Sequence, residues 1–289
     1  MTDIPIAWKK ITRGLPKSRR FADDRAPVLE EIQRICQYPD RRITAIVCTM
    51  SSSGIRLGAW DYLRWRHIEP ITRNGKIVAA KILVYAGDDE EYTSFVTPEA
   101  FYHLENWMEY RKESGEKVDE NSWVMRQLWN TKEGHYRHGA IKETTKLKSS
   151  GIKRLLEDAL WTQGLRKKSD LRRNRYEFQT NHGFRKWFKT RCEKSGMRSI
   201  NIEILMGHSI GISDSYYRIT ERELLEDYLT NAVDLFTINE SNILRRQVSK
   251  LSENTNGALT QLSSDAIASL SDQILKLQDE IEILKNRSR

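Results

Sequence analysis

The sequence has no long apolar run and only three cysteines. No stretch approaches the roughly 20 apolar residues that a membrane-spanning helix needs, and the N-terminus has no hydrophobic signal region. Cys36, Cys48 and Cys192 are scattered through apolar, helix-like segments, and no Cys-x-x-Cys pair is present. Such cysteines are typical of buried free thiols in a reducing compartment. We therefore expect a soluble, cytoplasmic protein.

The sequence also lacks a pattern of metal ligands. His135 and His138 lie close together, but no cysteine or carboxylate set stands near them to complete a zinc site. We expect no metal and no other cofactor.

Positive charge is in excess and unevenly distributed. The net charge is +8, whereas the segment from Glu240 to the C-terminus has seven basic and seven acidic residues. The whole excess therefore belongs to residues 1–239. A basic globular region indicates a polyanionic partner, and a merely solvated basic surface is the alternative.

Apolar spacing and turn residues predict a mainly helical chain. Helices are predicted over residues 27–38, 41–50, 55–65, 98–113, 150–165, 181–196, 199–207 and 221–236. Strands are predicted over 76–86 and 92–97, and Gly87, Asp88 and Asp89 between them favour a hairpin. Residues 113–150 are polar and poorly periodic, which predicts an extended loop or insertion.

The C-terminal tail has a different pattern. Apolar residues recur at alternating steps of three and four over almost three heptads, at Ile267, Leu270, Ile274, Leu277, Ile281 and Leu284. This is the a/d seam of a coiled coil. The polar residues at the other positions favour a helix that pairs with a partner, and a helix packed on the body of the protein is the alternative.

Two arginines, two histidines and a tyrosine form a coherent set for phosphodiester chemistry. His182 and Arg185 lie three apart on one predicted helix face, while Arg56 and His208 each follow a glycine-ended helix. Guanidinium groups can hold the non-bridging oxygens of a phosphodiester, and histidines can donate hydrogen bonds or move a proton. The phenol of one of the adjacent tyrosines, Tyr216 or Tyr217, could attack phosphorus and form a covalent link.

Four segments, in the order "SGIRLGAWDYLRW", "HGFRKWF", "LMGHS" and "SDSYY", resemble the catalytic domain of the tyrosine recombinase (phage integrase) family, in a form similar to archaeal members. The resemblance covers roughly residues 21–238. The family's habitual interval is present, with 23 residues from Arg185 to His208 and nine more to Tyr217. Tyr216, directly before this tyrosine, is expected to pack instead.

The resemblance implies a mainly α fold with a small antiparallel β-sheet (α+β) and a DNA-cutting and rejoining activity without metal. It assigns Arg56 as the first arginine, His182 and Arg185 as the H-x-x-R pair, and His208 as the later histidine. Tyr217 would be the nucleophile that forms a 3′-phosphotyrosyl bond. The implied protein is a site-specific recombinase or integrase.

The sequence departs from the family pattern at two positions. Asp88 stands in the hairpin turn where the family has a lysine that protonates the leaving 5′ oxygen, so Lys81, with Lys76, is the candidate substitute. Ala59 replaces a family glutamate, and Asp61 is the candidate compensation. Asp61 is also the partner expected for Arg56 if that arginine only forms a structural ion pair.

The domain organisation follows from the same resemblance. Residues 1–20 are a basic lead-in that resembles the remnant of a core-binding domain and its linker. Residues 21–238 form the predicted catalytic domain, with an insertion around 113–150, and 239–289 form the helical coiled-coil tail. Because the family's N-terminal domain normally closes a clamp around DNA, we expect a truncated gene or a catalytic half that binds DNA weakly and salt-sensitively.

A basic loop and three aromatic residues complete the predictions. DNA phosphate contacts are predicted, against the alternative of a solvated loop, for Arg166, Lys167, Lys168, Arg172, Arg173 and Arg175. Trp161, Trp187 and Phe188 are predicted to lie in the core.

Double-stranded DNA is the expected partner, together with a homo-oligomer (a tetramer on DNA) or a coiled-coil partner. The alternative function is a catalytically impaired DNA-binding modulator of a full-length recombinase, acting through its coiled coil.

Overall fold

A computed structural model describes residues 25–128, 145–166, 177–178, 180–211, 217–239 and 242–243. The chain divides into two units, Met1–Thr237 and Ile238–Arg289, and the elements described below all belong to the first. The predicted coiled-coil seam, the pair His135 and His138, and Tyr216 lie outside the described residues. The predicted domain boundaries stay predictions.

The second helix forms the centre of the fold. Helix α1 spans Leu29–Cys36 and α2 spans Arg41–Ser53. From residue 42 to residue 53, every residue of α2 except Thr44 is buried. The last three residues are serines, whose hydroxyls donate to backbone carbonyls four residues earlier. These bonds satisfy polar groups inside an apolar core, so a Ser-Ser-Ser sequence can end a buried helix.

A small antiparallel sheet follows α2. Its strands are β1 (Ile68–Arg73), β2 (Lys76–Val84) and β3 (Tyr92–Val96), in the order β1-β2-β3. The β2–β3 hairpin confirms the prediction, whereas β1 was not predicted. The strand is mostly exposed and contains Pro70, so it carries little of the apolar alternation by which strands are recognised.

Five more α-helices follow in the described part of the first unit, and a short 3₁₀ helix, Val233–Phe236, comes after the last of them. The α-helices are α3 (Pro98–Glu113), α4 (Ser149–Thr162), α5 (Thr180–Lys194), α6 (Ser199–Leu205) and α7 (Glu221–Asn231). The prediction of a mainly helical fold with a small antiparallel sheet is confirmed. Within the described part of the chain, no helix is long and apolar enough to cross a membrane.

The helix predicted over residues 55–65 is wrong. The segment forms two short 3₁₀ turns, Leu57–Asp61 and Trp65–His67. This segment connects α2 to β1, and its side chains Trp60 and Leu63 are buried. Tertiary packing of these apolar side chains therefore outweighs the helix-like spacing.

The first described part of the predicted insertion at 113–150 contains a buried ionic group. Arg111 and Arg126 pair with Glu116, and all three side chains are buried. We call these three residues the buried triad. Burial opposes ionisation of Glu116, but the two guanidinium groups outweigh it and lower the pKa of this carboxyl. Residues 129–144 of the segment lie outside the described residues.

Predictions about individual core residues had mixed outcomes. Trp187 and Phe188 are buried, as predicted. The prediction for Trp161 is wrong, since it is 39% exposed on α4, whose inward positions include Leu156 and Leu160. The three cysteines are free; two are buried and Cys36 is half-buried.

Candidate active site

Arg185 is the most deeply buried residue of the predicted set. It lies in α5 and is only 7% exposed. Its guanidinium donates hydrogen bonds to the carbonyls of Gly54 and Met206, the second at 3.2 Å, and one Nη lies 2.6 Å from His208 Nε2. Burial lowers the pKa of Arg185, and nearby Tyr92 opposes that change. A buried cation whose hydrogen-bond acceptors are neutral is stabilised further when an anion binds to it.

Arg56 reaches the same place from the other side. It follows Gly54, at the end of α2, and its Nη2 donates to the carbonyl of Gly207 at 2.8 Å. Its Nη1 lies 3.3 Å from a carboxylate oxygen of Glu90, in the β2–β3 turn. The acidic partner of Arg56 is thus Glu90, and the expected pairing with Asp61 is wrong. Asp61 instead accepts a hydrogen bond from the backbone N–H of Ser149 at 3.0 Å.

His208 completes the group that we call the arginine–histidine cluster, namely Arg56, Arg185 and His208. It follows Gly207, whose φ of +65° ends the turn after α6. Its Nε2 faces Arg185, and its Nδ1 hydrogen bonds to a carboxylate oxygen of Glu203. The cluster therefore combines two guanidinium groups and an imidazole at one point, an arrangement suited to binding a phosphate and moving a proton.

The Tyr92 side chain packs beside this cluster. A Cβ placed on Gly207 would lie 2.3 Å from Tyr92 Cε1, so the ring rests directly on the glycine backbone. The Tyr92 hydroxyl is buried and forms no well-aligned hydrogen bond with the described residues. Burial raises the pKa of Tyr92 to about 12, and the guanidinium groups of Arg185 and Arg56 partly oppose the rise. Glycine is thus required at 207 both for its φ and for this contact.

Tyr217 is described, and its hydroxyl contacts a different group. It donates to Asn201 Oδ1 at 2.8 Å, and Asn201 in turn donates to Asp227. A hydrogen bond with Tyr217 also raises the pKa of Arg198. Together with Arg198 and Asn201, Tyr217 lines a cavity of about 470 Å³ beside α6 and α7. No hydrogen bond joins the Tyr217 hydroxyl to the arginine–histidine cluster in the described part of the chain.

The other predicted catalytic residues lie outside the cluster. His182 is exposed at the start of α5, and among the described residues it has no hydrogen bond or ion pair. Lys81 lies on β2, where its ammonium is 3.1 Å from Glu221 and 4.0 Å from Glu69. Lys76 is exposed at the start of the same strand.

Of the six basic residues predicted to contact DNA, only one is described. The side chain of Arg166 is 7% exposed and lies 3.6 Å from Glu157. Arg166 thus forms an ion pair within its own chain, and its contact with DNA phosphate stays a prediction. The other five residues lie outside the described part of the chain, namely Lys167, Lys168, Arg172, Arg173 and Arg175. No group of three or more histidine, cysteine and carboxylate side chains suited to a metal occurs among the described residues.

The sequence interpretation missed three residues that contact the cluster, namely Glu90, Tyr92 and Glu203. Glu203 could have been found, because it precedes His208 by five residues and the intervening Gly207 predicts a turn that reverses direction. The other two come from the hairpin, and no spacing along the chain relates them to Arg185.

Comparisons with known proteins give structural matches alone. No protein-family model matches the sequence, and no curated protein matches it. Among solved structures, XerA recombinase is 18% identical with a TM-score of 0.47, over 74% of this chain and 65% of that one. XerH site-specific recombinase, bound to its difH substrate before cleavage, is 15% identical with a TM-score of 0.44, over 73% and 55%. A lambda integrase dimer on a core site is 13% identical with a TM-score of 0.41, over 72% and 51%.

The matched region thus spans about half to two thirds of the length of these proteins. Because the identities and TM-scores are low, the functional assignment rests on the residues of the site.

Proposed function

We propose that this chain is a tyrosine-type DNA strand transferase, a site-specific recombinase or integrase. The observation that carries the proposal is the convergence of Arg56, Arg185 and His208, which come from three separate parts of the sequence. In the free protein the guanidinium groups donate mainly to backbone carbonyls. A phosphodiester would offer them charged oxygens instead, and hydrogen bonds to charged acceptors are about twice as strong as neutral ones.

The proposed reaction is a transesterification at phosphorus. The Tyr217 oxygen attacks the phosphorus and forms a 3′-phosphotyrosyl bond, while the bond to the 5′ oxygen breaks. The phenol proton passes to His208 Nε2, and the leaving 5′ oxygen takes up one proton, so no net proton is consumed. The two guanidinium groups stabilise the charge that develops on the non-bridging oxygens.

Arg185 must turn from His208 Nε2 to the phosphate so that this nitrogen can take the phenol proton, and two further residues must change partners for this reaction. Tyr217 must leave Asn201 to reach a phosphate held by the arginine–histidine cluster. Lys81, which remains the proposed proton donor to the 5′ oxygen, must leave Glu221. DNA binding supplies a driving force for both, since it brings a polyanion to the site. His182 stays a proposed phosphate contact, because it is exposed on the helix that carries Arg185.

The alternative is a DNA-binding modulator with impaired catalysis, acting on a full-length recombinase through its coiled coil. The hydrogen bond of Tyr217 to Asn201 and the acidic β2–β3 turn favour it. Under either function the proposed partner is double-stranded DNA, with a homo-oligomer, such as a tetramer on DNA, or a coiled-coil partner.

Covalent trapping tests the proposal. The full chain is incubated at low salt with a pool of nicked DNA duplexes that carry a randomised centre, so that the target site need not be known. We expect a denaturant-resistant protein–DNA adduct that Tyr217→Phe abolishes and that the matched control Tyr216→Phe largely retains. Binding of the pool without any adduct would reject the enzyme and leave the modulator. The reverse pattern for the two tyrosines would assign the nucleophile to Tyr216.

A further inference from the structure

The hydrogen bonds around His208 indicate which tautomer of its neutral ring fits the free protein. A guanidinium can only donate, so the 2.6 Å contact from Arg185 requires His208 Nε2 to accept and to carry no proton. The proton of the neutral ring must then reside on Nδ1, where it is donated to the carboxylate of Glu203. A ring protonated on both nitrogens would place an N–H against the Arg185 N–H.

Glu203 is itself held from two sides. Its second carboxylate oxygen lies 2.5 Å from the ammonium of Lys189, which belongs to α5, the helix that also carries Arg185. The backbone N–H of His208 donates to the Glu203 carbonyl at 2.9 Å. Burial opposes ionisation of Glu203, but Lys189 and His208 outweigh it and lower the pKa of the carboxyl. The carboxylate is therefore ionised and fixed in direction.

We propose that Glu203, oriented by Lys189, is a positioning residue that keeps the proton of His208 on Nδ1 and so leaves Nε2 unprotonated. In the free protein this nitrogen accepts from Arg185, and it can take the tyrosine proton once Arg185 turns to the reacting phosphodiester. A base can take the tyrosine proton only through an unprotonated nitrogen that faces it. Without Glu203, Arg185 alone would favour the Nδ1–H form, and that contact is given up when Arg185 turns to the phosphodiester. The proton could then move to Nε2, and the form with Nε2–H could not accept. The use in catalysis rests on the function proposed above, whereas the tautomer itself does not.

Nitrogen chemical shifts of the imidazole test the tautomer without reference to activity. In the full chain labelled with ¹⁵N-histidine, the His208 signals are identified by their loss in His208→Gln. We expect an Nδ1–H form in the wild type. Glu203→Gln, whose amide oxygen can still accept, should keep this form, and Glu203→Leu, which leaves only Arg185 to favour Nδ1–H, should populate Nε2–H in part. The control Glu193→Gln removes a carboxylate 3.8 Å from Lys189 that does not contact His208, and it should change nothing.

Adduct formation on the nicked duplex pool then tests the consequence. We expect Glu203→Leu to slow it by about 100-fold, the low end of what a general base contributes, and Glu203→Gln to recover most of that loss. An unchanged tautomer in Glu203→Leu would overturn the proposal, as would a changed tautomer with an unchanged rate. If Glu203→Leu changes the tautomer but the wild-type protein forms no adduct, the positioning role stands and the strand-transfer function is rejected. If Glu203→Leu does not fold, Glu203→Asp shortens the carboxylate by one methylene and gives the same readout.

Discussion

Replacing Gly207 by alanine separates backbone strain from packing at the candidate active site. The φ of +65° belongs to the left-handed region, where a residue with a Cβ loses about 1–2 kcal/mol. The new Cβ would also lie 2.3 Å from Tyr92 Cε1, which forces the ring or the backbone to move. Overpacking of this kind costs about 1–3 kcal/mol. We therefore expect Gly207→Ala to lower the free energy of unfolding by about 2–5 kcal/mol.

Gly196 provides the matched control. It also follows a helix, has a φ of +86°, and nothing lies within 4 Å of a Cβ placed on it. Gly196→Ala should therefore show the backbone cost alone, about 1–2 kcal/mol. Urea unfolding measures both variants, with a shifted midpoint at an unchanged slope.

A double-mutant cycle identifies the clashing group. Combined with Tyr92→Ala, the cost of Gly207→Ala should fall to that of Gly196→Ala, because the ring that the new Cβ meets has been removed. Equal losses for the two single glycine variants, or no coupling to Tyr92, would refute the contact between the ring and the glycine.

Two further predictions concern buried polar groups. Glu116→Gln should lower the free energy of unfolding by about 3 kcal/mol at neutral pH, because it leaves the arginines of the buried triad without a counter-charge, whereas exposed Glu109→Gln should change it little. Because folding lowers the pKa of Glu116, its contribution to the free energy of unfolding should be fully present above the unfolded-state pKa, near 4.5. This contribution should disappear as the pH falls through the folded-state pKa. A difference in stability between wild type and Glu116→Gln that does not narrow in acid would contradict this. Tyr228→Phe should lower the free energy of unfolding in urea by about 1 kcal/mol, because its buried hydroxyl donates to the Ser52 carbonyl at 2.9 Å. Tyr92→Phe should leave this free energy unchanged or raise it, because the Tyr92 hydroxyl is buried without a well-aligned partner among the described residues. An equal loss for the two variants would show that the Tyr92 hydroxyl is paired.

The helical framework and two parts of the cluster could be predicted because they depend on local signals. Apolar spacing located the helices, and a glycine directly before His208 located the turn that presents the imidazole. The 3₁₀ connection after Arg56 could not be predicted, because packing of Trp60 and Leu63 decides it. Strand β1 could not be predicted because most of its side chains are exposed, so it lacks the apolar alternation of a half-buried strand.

Contacts between distant segments account for the rest. The intervals from Arg185 to His208 and to Tyr217 indicate a shared reaction, but they do not fix where the Tyr217 side chain points. In the free protein its hydroxyl bonds to Asn201, a partner that is 16 positions away and on a different element. Likewise, Glu90 and Tyr92 reach the cluster only because the hairpin folds over it, which depends on the whole sheet.

The ion pair between Glu90 and Arg56 changes how this site should respond to salt. DNA carries condensed cations, and their release when a free arginine neutralises a phosphate gives each contact its salt dependence. Arg56 already forms an ion pair with the carboxylate of Glu90. The Glu90 side chain is 70% exposed, so a phosphate can displace it without disturbing the core. Under the proposed function, a phosphodiester at Arg56 replaces the Glu90 carboxylate. The binding free energy gained at Arg56 is therefore the difference between two ion pairs. Glu90→Gln would remove the competitor, and tighter DNA binding is the expected thermodynamic signature of that exchange.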